Sequence, residues 1–102
     1  MIQNIQDCAE LHNGVRMPWF GLGVCRAEEG GQVEQAVRWA LDCGYRGIDT
    51  AAVYENEGGV GAALRDCAVP RGNIFLTTKV WNSDQGYQST LDAFDVSLRR
   101  LD

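Results

Sequence analysis

The chain has 102 residues, 45 % hydrophobic and 23 % charged, with a formal net charge of −5. Such a composition is globular, and the length suits one domain at most. It argues against a nucleic-acid surface, since no basic cluster exceeds Arg99-Arg100, and against a membrane span, since no apolar run approaches the ~20 residues a bilayer needs.

The opening Met1-Ile2-Gln3-Asn4 lacks the basic-then-apolar plan of a signal peptide, so a cytoplasmic location is expected. The four cysteines, at 8, 25, 43 and 67, form no Cys-x-x-Cys pair and read as reduced thiols. His12 is the only histidine, which leaves a metal site almost nothing to build from.

In chain order, residues 8–12 and 15–17 flank Asn13-Gly14, a dipeptide suited to a type I′ turn, and predict a hairpin that Pro18 stops. The apolar run 19–25, with Gly21 and Gly23, predicts a buried strand whose end lies close to another group. Gly30-Gly31 opens a helix in which Val33, Ala36, Val37, Ala40 and Leu41 form one apolar stripe, and Gly44 stands where a C′ glycine would. Residues 45–51 read as a second, shorter strand.

A second helix is expected over about residues 56–67, with Val60, Ala63, Leu64 and Cys67 on one face. Gly58, Gly59 and Gly61 weaken it by ~1 kcal/mol each relative to alanine, so packing must hold it. Pro70-Arg71-Gly72 is a turn, and residues 74–81 form a third strand. The last helix begins after Ser83-Asp84, either of which can N-cap it, and carries Tyr87, Leu91, Phe94, Leu98 and Leu101 on one side. A hairpin followed by β-α-β-α-β-α predicts an α/β fold with a parallel sheet. The pattern alone fits half of an open doubly wound sheet or three-eighths of a barrel.

Of nine basic residues only one, Lys79, is a lysine. It stands in Ile74-Phe75-Leu76-Thr77-Thr78-Lys79-Val80-Trp81, a run otherwise composed like a buried strand, where an unpaired ammonium is costly. A partner anion is therefore expected, and Asp49 closes the preceding apolar strand. Reactive groups of parallel α/β folds gather at the carboxyl ends of the strands. There the sequence places Gly23-Val24-Cys25, then Asp49 with Tyr54 beyond it, then Lys79 and Trp81.

Each of these side chains alone has a plain structural use, as a cap, a loop aromatic or a strand-end salt bridge. Together they suit hydride reduction of a carbonyl, where an acid must protonate the oxygen. A phenol is a sluggish acid, and an ammonium within ~4–6 Å stabilises its phenolate. The carboxylate then offsets the lysine's burial and fixes its position.

Three stretches resemble the aldo-keto reductase family. They are the segment from Gly44-Tyr45-Arg46-Gly47-Ile48-Asp49 through Tyr54-Glu55-Asn56-Glu57 to Gly61, the lysine strand Phe75–Asn82, and the opening Asn13-Gly14-Val15-Arg16-Met17-Pro18 with Gly21-Leu22-Gly23. The likeness covers nearly the whole chain and is closest to the bacterial 2,5-diketo-D-gluconate reductase and prostaglandin F synthase-like branch. It implies a (β/α)8 TIM barrel, of which residues 1–102 hold the N-terminal hairpin and about the first three βα units, ending before strand four. It implies NADPH/NADP+ as cofactor and a small-molecule carbonyl substrate, with Asp49, Tyr54 and Lys79 as three of four catalytic residues. The fourth, a histidine, belongs to strand four. Gly23, Val24 and Asp49 match cofactor-binding positions, and Cys25 and Trp81 match the substrate pocket. Gly47 departs from the family's usual histidine, which implies altered packing rather than lost chemistry.

Competing nucleotide motifs fail. Arg26 follows Gly21-Leu22-Gly23 where a dinucleotide fingerprint needs glycine, and no Walker lysine exists. Two expectations follow: the N-terminal portion of an NADPH-dependent carbonyl reductase, inactive as 102 residues alone, or a catalytically silent structural module that assembles with itself or a partner.

Overall fold

The computed structural model describes residues 2–102. A hairpin of β1 (Cys8–Glu10) and β2 (Arg16–Pro18) pairs antiparallel, with Ala9 opposite Met17. Its turn differs from the type I′ expectation. Gly14 N–H donates to Leu11 O at 2.9 Å, Leu11 N–H donates to Val15 O at 2.7 Å, and only Gly14 of the pair has a positive φ, at 84°. This is a three-residue loop ending in a left-handed glycine, and Asn13 instead accepts the Val15 N–H on its side-chain oxygen.

Three parallel strands follow in sheet order β3 (Gly21–Gly23), β4 (Gly47–Asp49), β5 (Phe75–Thr77). Helices α1 (Gly31–Asp42) and α2 (Glu57–Asp66) connect them, and α3 (Tyr87–Leu101) follows β5. The register aligns Leu22, Ile48 and Leu76 in one row. That row faces the helices: Ile48 is buried among Val33, Val37, Val60 and Leu64, with Leu22 and Leu76 packed alongside. Rows Gly21-Gly47-Phe75 and Gly23-Asp49-Thr77 therefore line the opposite face, since side chains alternate along a strand. With glycine at three of those six positions, that face holds a cleft of about 240 Å³ bordered by Trp19 and Phe20. Backbone closely approaches Gly47, where a Cβ would lie 3.1 Å from Phe20 O and 3.3 Å from the Gly21 Cα. Both border aromatics are about half exposed, so the run 19–25 is less buried than its composition suggests.

Helix α1 ends as the sequence anticipates. Gly44 N–H reaches Leu41 O, Tyr45 N–H reaches Ala40 O, and Gly44 takes φ 101°, a full Schellman motif. Helix α2 tolerates its glycines because its neighbours need them. The Glu29 carboxylate lies against Gly58 and Gly59, and a Cβ on Gly61 would sit 2.9 Å from the Leu101 Cα. Helix α3 starts later than expected. Ser83 and Asp84 belong to a 3-10 turn (Asn82–Asp84), and Gly86 is the N-cap residue. Of the α3 stripe only Leu101 is buried, whereas Tyr87, Leu91, Phe94 and Leu98 are exposed.

Candidate active site

The strand hydrogen bonds end at Asp49 and Thr77, but backbone contacts continue one step further. Val24 N–H donates to Asp49 O at 3.1 Å, Thr50 N–H to Thr77 O at 2.8 Å, and Ala52 N–H to Lys79 O at 3.1 Å. The carboxyl ends of all three strands are thus fastened to one another. Lys79 lies two residues past β5 rather than inside a buried strand, and its side chain is 48 % exposed. This corrects the expectation of a strand over residues 74–81: only its first half pairs.

The lysine nevertheless has the anticipated partner. Its Nζ donates to Asp49 Oδ2 at 2.7 Å and to the Thr50 carbonyl at 3.0 Å, and it lies 5.2 Å from the centroid of the Tyr54 ring. The hydrogen bond to Asp49 holds Lys79 above the usual lysine range. Desolvation opposes this, and the Asp49 and Tyr54 charges add to it. Tyr54 ends a 3-10 turn (Ala52–Tyr54), and Glu55 after it takes a left-handed φ of 57°, which turns the chain abruptly into α2. Asp49, Tyr54 and Lys79 therefore converge at one rim.

The other predicted positions fall around them. Gly23 is exposed and in register with Asp49, and a Cβ there would meet nothing within 4 Å. Val24 is different, since its side chain is 2 % exposed and lies in the core. Its N–H and C=O are both engaged, the carbonyl by Asn56 Nδ2 and Ala27 N–H. Cys25 and Trp81 leave β3 and β5 at the same end of the sheet, both exposed. Among the described residues no group of three or more His, Cys, Asp or Glu could hold a metal ion, and no helix is long and apolar enough to cross a membrane.

Four side chains around the trio escaped the sequence reading. Thr50 Oγ1 donates to Asn56 Oδ1 at 2.8 Å, and Thr78 Oγ1 donates to Glu57 Oε2 at 2.7 Å. Asn56 and Glu57 are 0 % and 1 % exposed, and Arg100 neutralises Glu57 at 3.3 Å. Glu57 carried a usable signal. With Val60 and Leu64 it lies at i, i+3 and i+7, a carboxylate on the apolar face of α2, where a charge demands a partner.

Comparison with known proteins supplies the context for this rim. The chain is 52 % identical over 101 residues to the glyoxal reductase of Bacillus subtilis, a match covering 99 % of this chain and 37 % of that protein. It is 58 % identical over 95 residues to the 9,11-endoperoxide prostaglandin H2 reductase of Trypanosoma cruzi, covering 93 % and 34 %. The crystal structure of a Bombyx mori aldo-keto reductase in complex with NADP superposes with a TM-score of 0.80 at 38 % identity, over 92 % of this chain and 34 % of that one. The chain thus spans about a third of the length of these relatives. Its hairpin and three βα units are part of an aldo-keto reductase (β/α)8 barrel. The family model for the aldo/keto reductases matches residues 22–102, nearly the whole of the sheet and its helices, and the chain belongs to that family.

Proposed function

We propose that residues 1–102 are the N-terminal part of an NADPH-dependent reductase of small aldehydes and ketones, working in the cytoplasm. The observation that carries this reading is the Lys79 ammonium, 2.7 Å from Asp49 Oδ2 and 5.2 Å from the Tyr54 ring centre. The names of the relatives, a glyoxal reductase among them, point to small carbonyl compounds as the substrate class. Four free thiols agree with a reducing compartment.

The strand ends suit the reactive end of a nicotinamide cofactor. Gly23 offers bare backbone with open space above it, against which a flat ring can lie. Asp49 is 43 % exposed and keeps lone pairs beyond the one Lys79 uses, so it can accept from an amide or a sugar hydroxyl. Val24 contributes by shaping the strand end from the core side. When bound, the cofactor supplies the hydride that adds to the carbonyl carbon.

The chain's own residues manage the proton. Tyr54 donates its phenolic proton to the carbonyl oxygen as negative charge develops there, giving the alcohol. Lys79 stabilises the phenolate left behind until solvent returns a proton, and Asp49 keeps the ammonium in place. Cys25 and Trp81, on the rim, border the substituents of the carbonyl. Replacement of Tyr54 by Phe in the complete barrel should abolish NADPH oxidation with glyoxal while leaving NADPH binding, read by fluorescence, largely intact. Unchanged turnover would refute Tyr54 as the acid.

A second reading draws on the exposed stripe of Leu91, Phe94 and Leu98. In it the 102 residues are a catalytically silent module that associates with itself through that face.

A further inference from the structure

Asn56 occupies the N-cap position of α2, where an asparagine ordinarily accepts a hydrogen bond from the N–H of the second or third helical residue. Here it makes no such bond. That work falls to Glu29, thirty residues upstream, whose Oε1 accepts the Gly59 N–H at 2.6 Å, with Gly58 and Gly59 leaving room for the carboxylate. The Asn56 amide is thereby released to bridge loops. It donates to Val24 O at 2.9 Å and Ala27 O at 3.0 Å, and accepts from the Thr50 hydroxyl at 2.8 Å. The next residue, Glu57, accepts from the Thr78 hydroxyl at 2.7 Å.

The two threonines are not arbitrary partners. Thr50 follows Asp49 and itself supplies the second acceptor for Lys79, and Thr78 precedes Lys79. Tyr54 lies two residues before Asn56 on the same loop. One dipeptide therefore grips the neighbour of each member of the ion pair and tethers the phenol by a two-residue lead. The Thr50 grip is buried and the Thr78 grip partly so, and Asn56 is anchored to the core through the Val24 carbonyl.

We propose that Asn56 and Glu57 are positioning residues that fix the Lys79 ammonium relative to Asp49 and Tyr54, acting through the hydroxyls of Thr50 and Thr78. The inference rests on reading Tyr54 and Lys79 as the acid pair, but its test does not require turnover. In the complete protein, lysine labelled with 13C at Cε gives one resonance per lysine, and the resonance lost in Lys79→Met reads this ammonium alone.

Because Asn56→Ala and Glu57→Ala can fail to fold, the hydroxyls are the better targets. Thr50→Val and Thr78→Val preserve shape and remove the donor; Thr50→Ser and Thr78→Ser keep the donor and pack less well. The expected result is a Lys79 titration midpoint that falls back toward the ordinary lysine value in both valine variants and holds at the wild-type value in both serine variants. A role in packing alone predicts the reverse order. Valine variants that titrate like wild type, or serine variants that fall as far as valine, would overturn the proposal. A reductase found inactive would leave this outcome unchanged, so the two readings fail separately.

Discussion

Lys79 and Asp49 meet at 2.7 Å with nearly half of each side chain open to solvent. An exposed pair of this kind contributes about 0–1 kcal/mol to stability, because water screens it and two flexible side chains must be ordered. Lys79→Met is therefore expected to shift the unfolding free energy by no more than about 1 kcal/mol. Carbonyl reduction by the complete barrel should nevertheless fall by at least about 100-fold, the usual scale for losing assisted proton transfer. Lys79→Arg should not restore it, because a planar guanidinium cannot take the compact place between Asp49 Oδ2 and the Thr50 carbonyl. Denaturant titration and steady-state NADPH oxidation read the two effects, and a variant that is active or strongly destabilised contradicts this assignment.

The same bond sets a direction in pH. Asp49 raises Lys79 above its ordinary value of 10.5 in the folded chain. A group whose folded value is raised gives its full stabilisation below the unfolded value and loses it as pH climbs through the folded one. The pair should thus be intact throughout the neutral and mildly alkaline range and release only above about pH 10.5. The difference in Tm between wild type and Lys79→Met is expected to be small and flat up to that region and to vanish beyond it. A difference that changes near neutrality would assign the pair to another titrating group.

Helix propensity and packing give opposite answers at the α2 glycines. Alanine is better than glycine inside a helix by about 1 kcal/mol. At Gly61, however, a Cβ would run into the backbone of Arg100 and Leu101, which cannot yield as a side-chain tip can. Gly61→Ala should therefore destabilise by about 1–3 kcal/mol, the scale of overpacking. Gly72→Ala, where a Cβ would meet nothing within 4 Å, should be close to neutral. Equal unfolding midpoints for the two variants would show that α3 does not approach α2 as described.

Where one segment's own pattern decided its structure, the sequence was legible. The α1 stripe and the Gly44 stop follow from periodicity and cap chemistry, and the helix expected over about residues 56–67 is observed as Glu57–Asp66. The ion pair was legible too, because a lone lysine among β-branched residues requires an anion. Features that depend on the partner segment were not. Lys79 looked buried because Phe75, Leu76 and Val80 surround it in sequence, yet pairing with β4 stops at Thr77. Gly86 rather than Ser83 or Asp84 starts α3 because the 3-10 turn takes up the earlier residues, and Thr90 bridges Gly86 N–H and Asp84 O. The Asn56 bridge depends on Glu29 taking over the helix cap from thirty residues away, which no local pattern announces.

The exposed apolar faces bear on what these 102 residues do by themselves. Leu91, Phe94 and Leu98 lie along α3 at 48 %, 59 % and 52 % exposure, and Trp19 and Phe20 border the glycine-lined cleft on the opposite face of the sheet. Contiguous apolar surface of this kind ordinarily marks an interface. The outer edge of β5 adds unpaired backbone groups, a template for another strand. A polypeptide limited to residues 1–102 is expected to migrate above its 11.2 kDa mass on size exclusion, and Leu91→Glu with Phe94→Glu should return it toward the monomer. It should also oxidise no NADPH with glyoxal, since on the proposed reading the Tyr54 rim supplies only one side of the substrate site. Tyr54-dependent oxidation by this polypeptide would show that three βα units suffice for catalysis. A monomer with its apolar faces intact would remove the self-associating module as an alternative to the reductase.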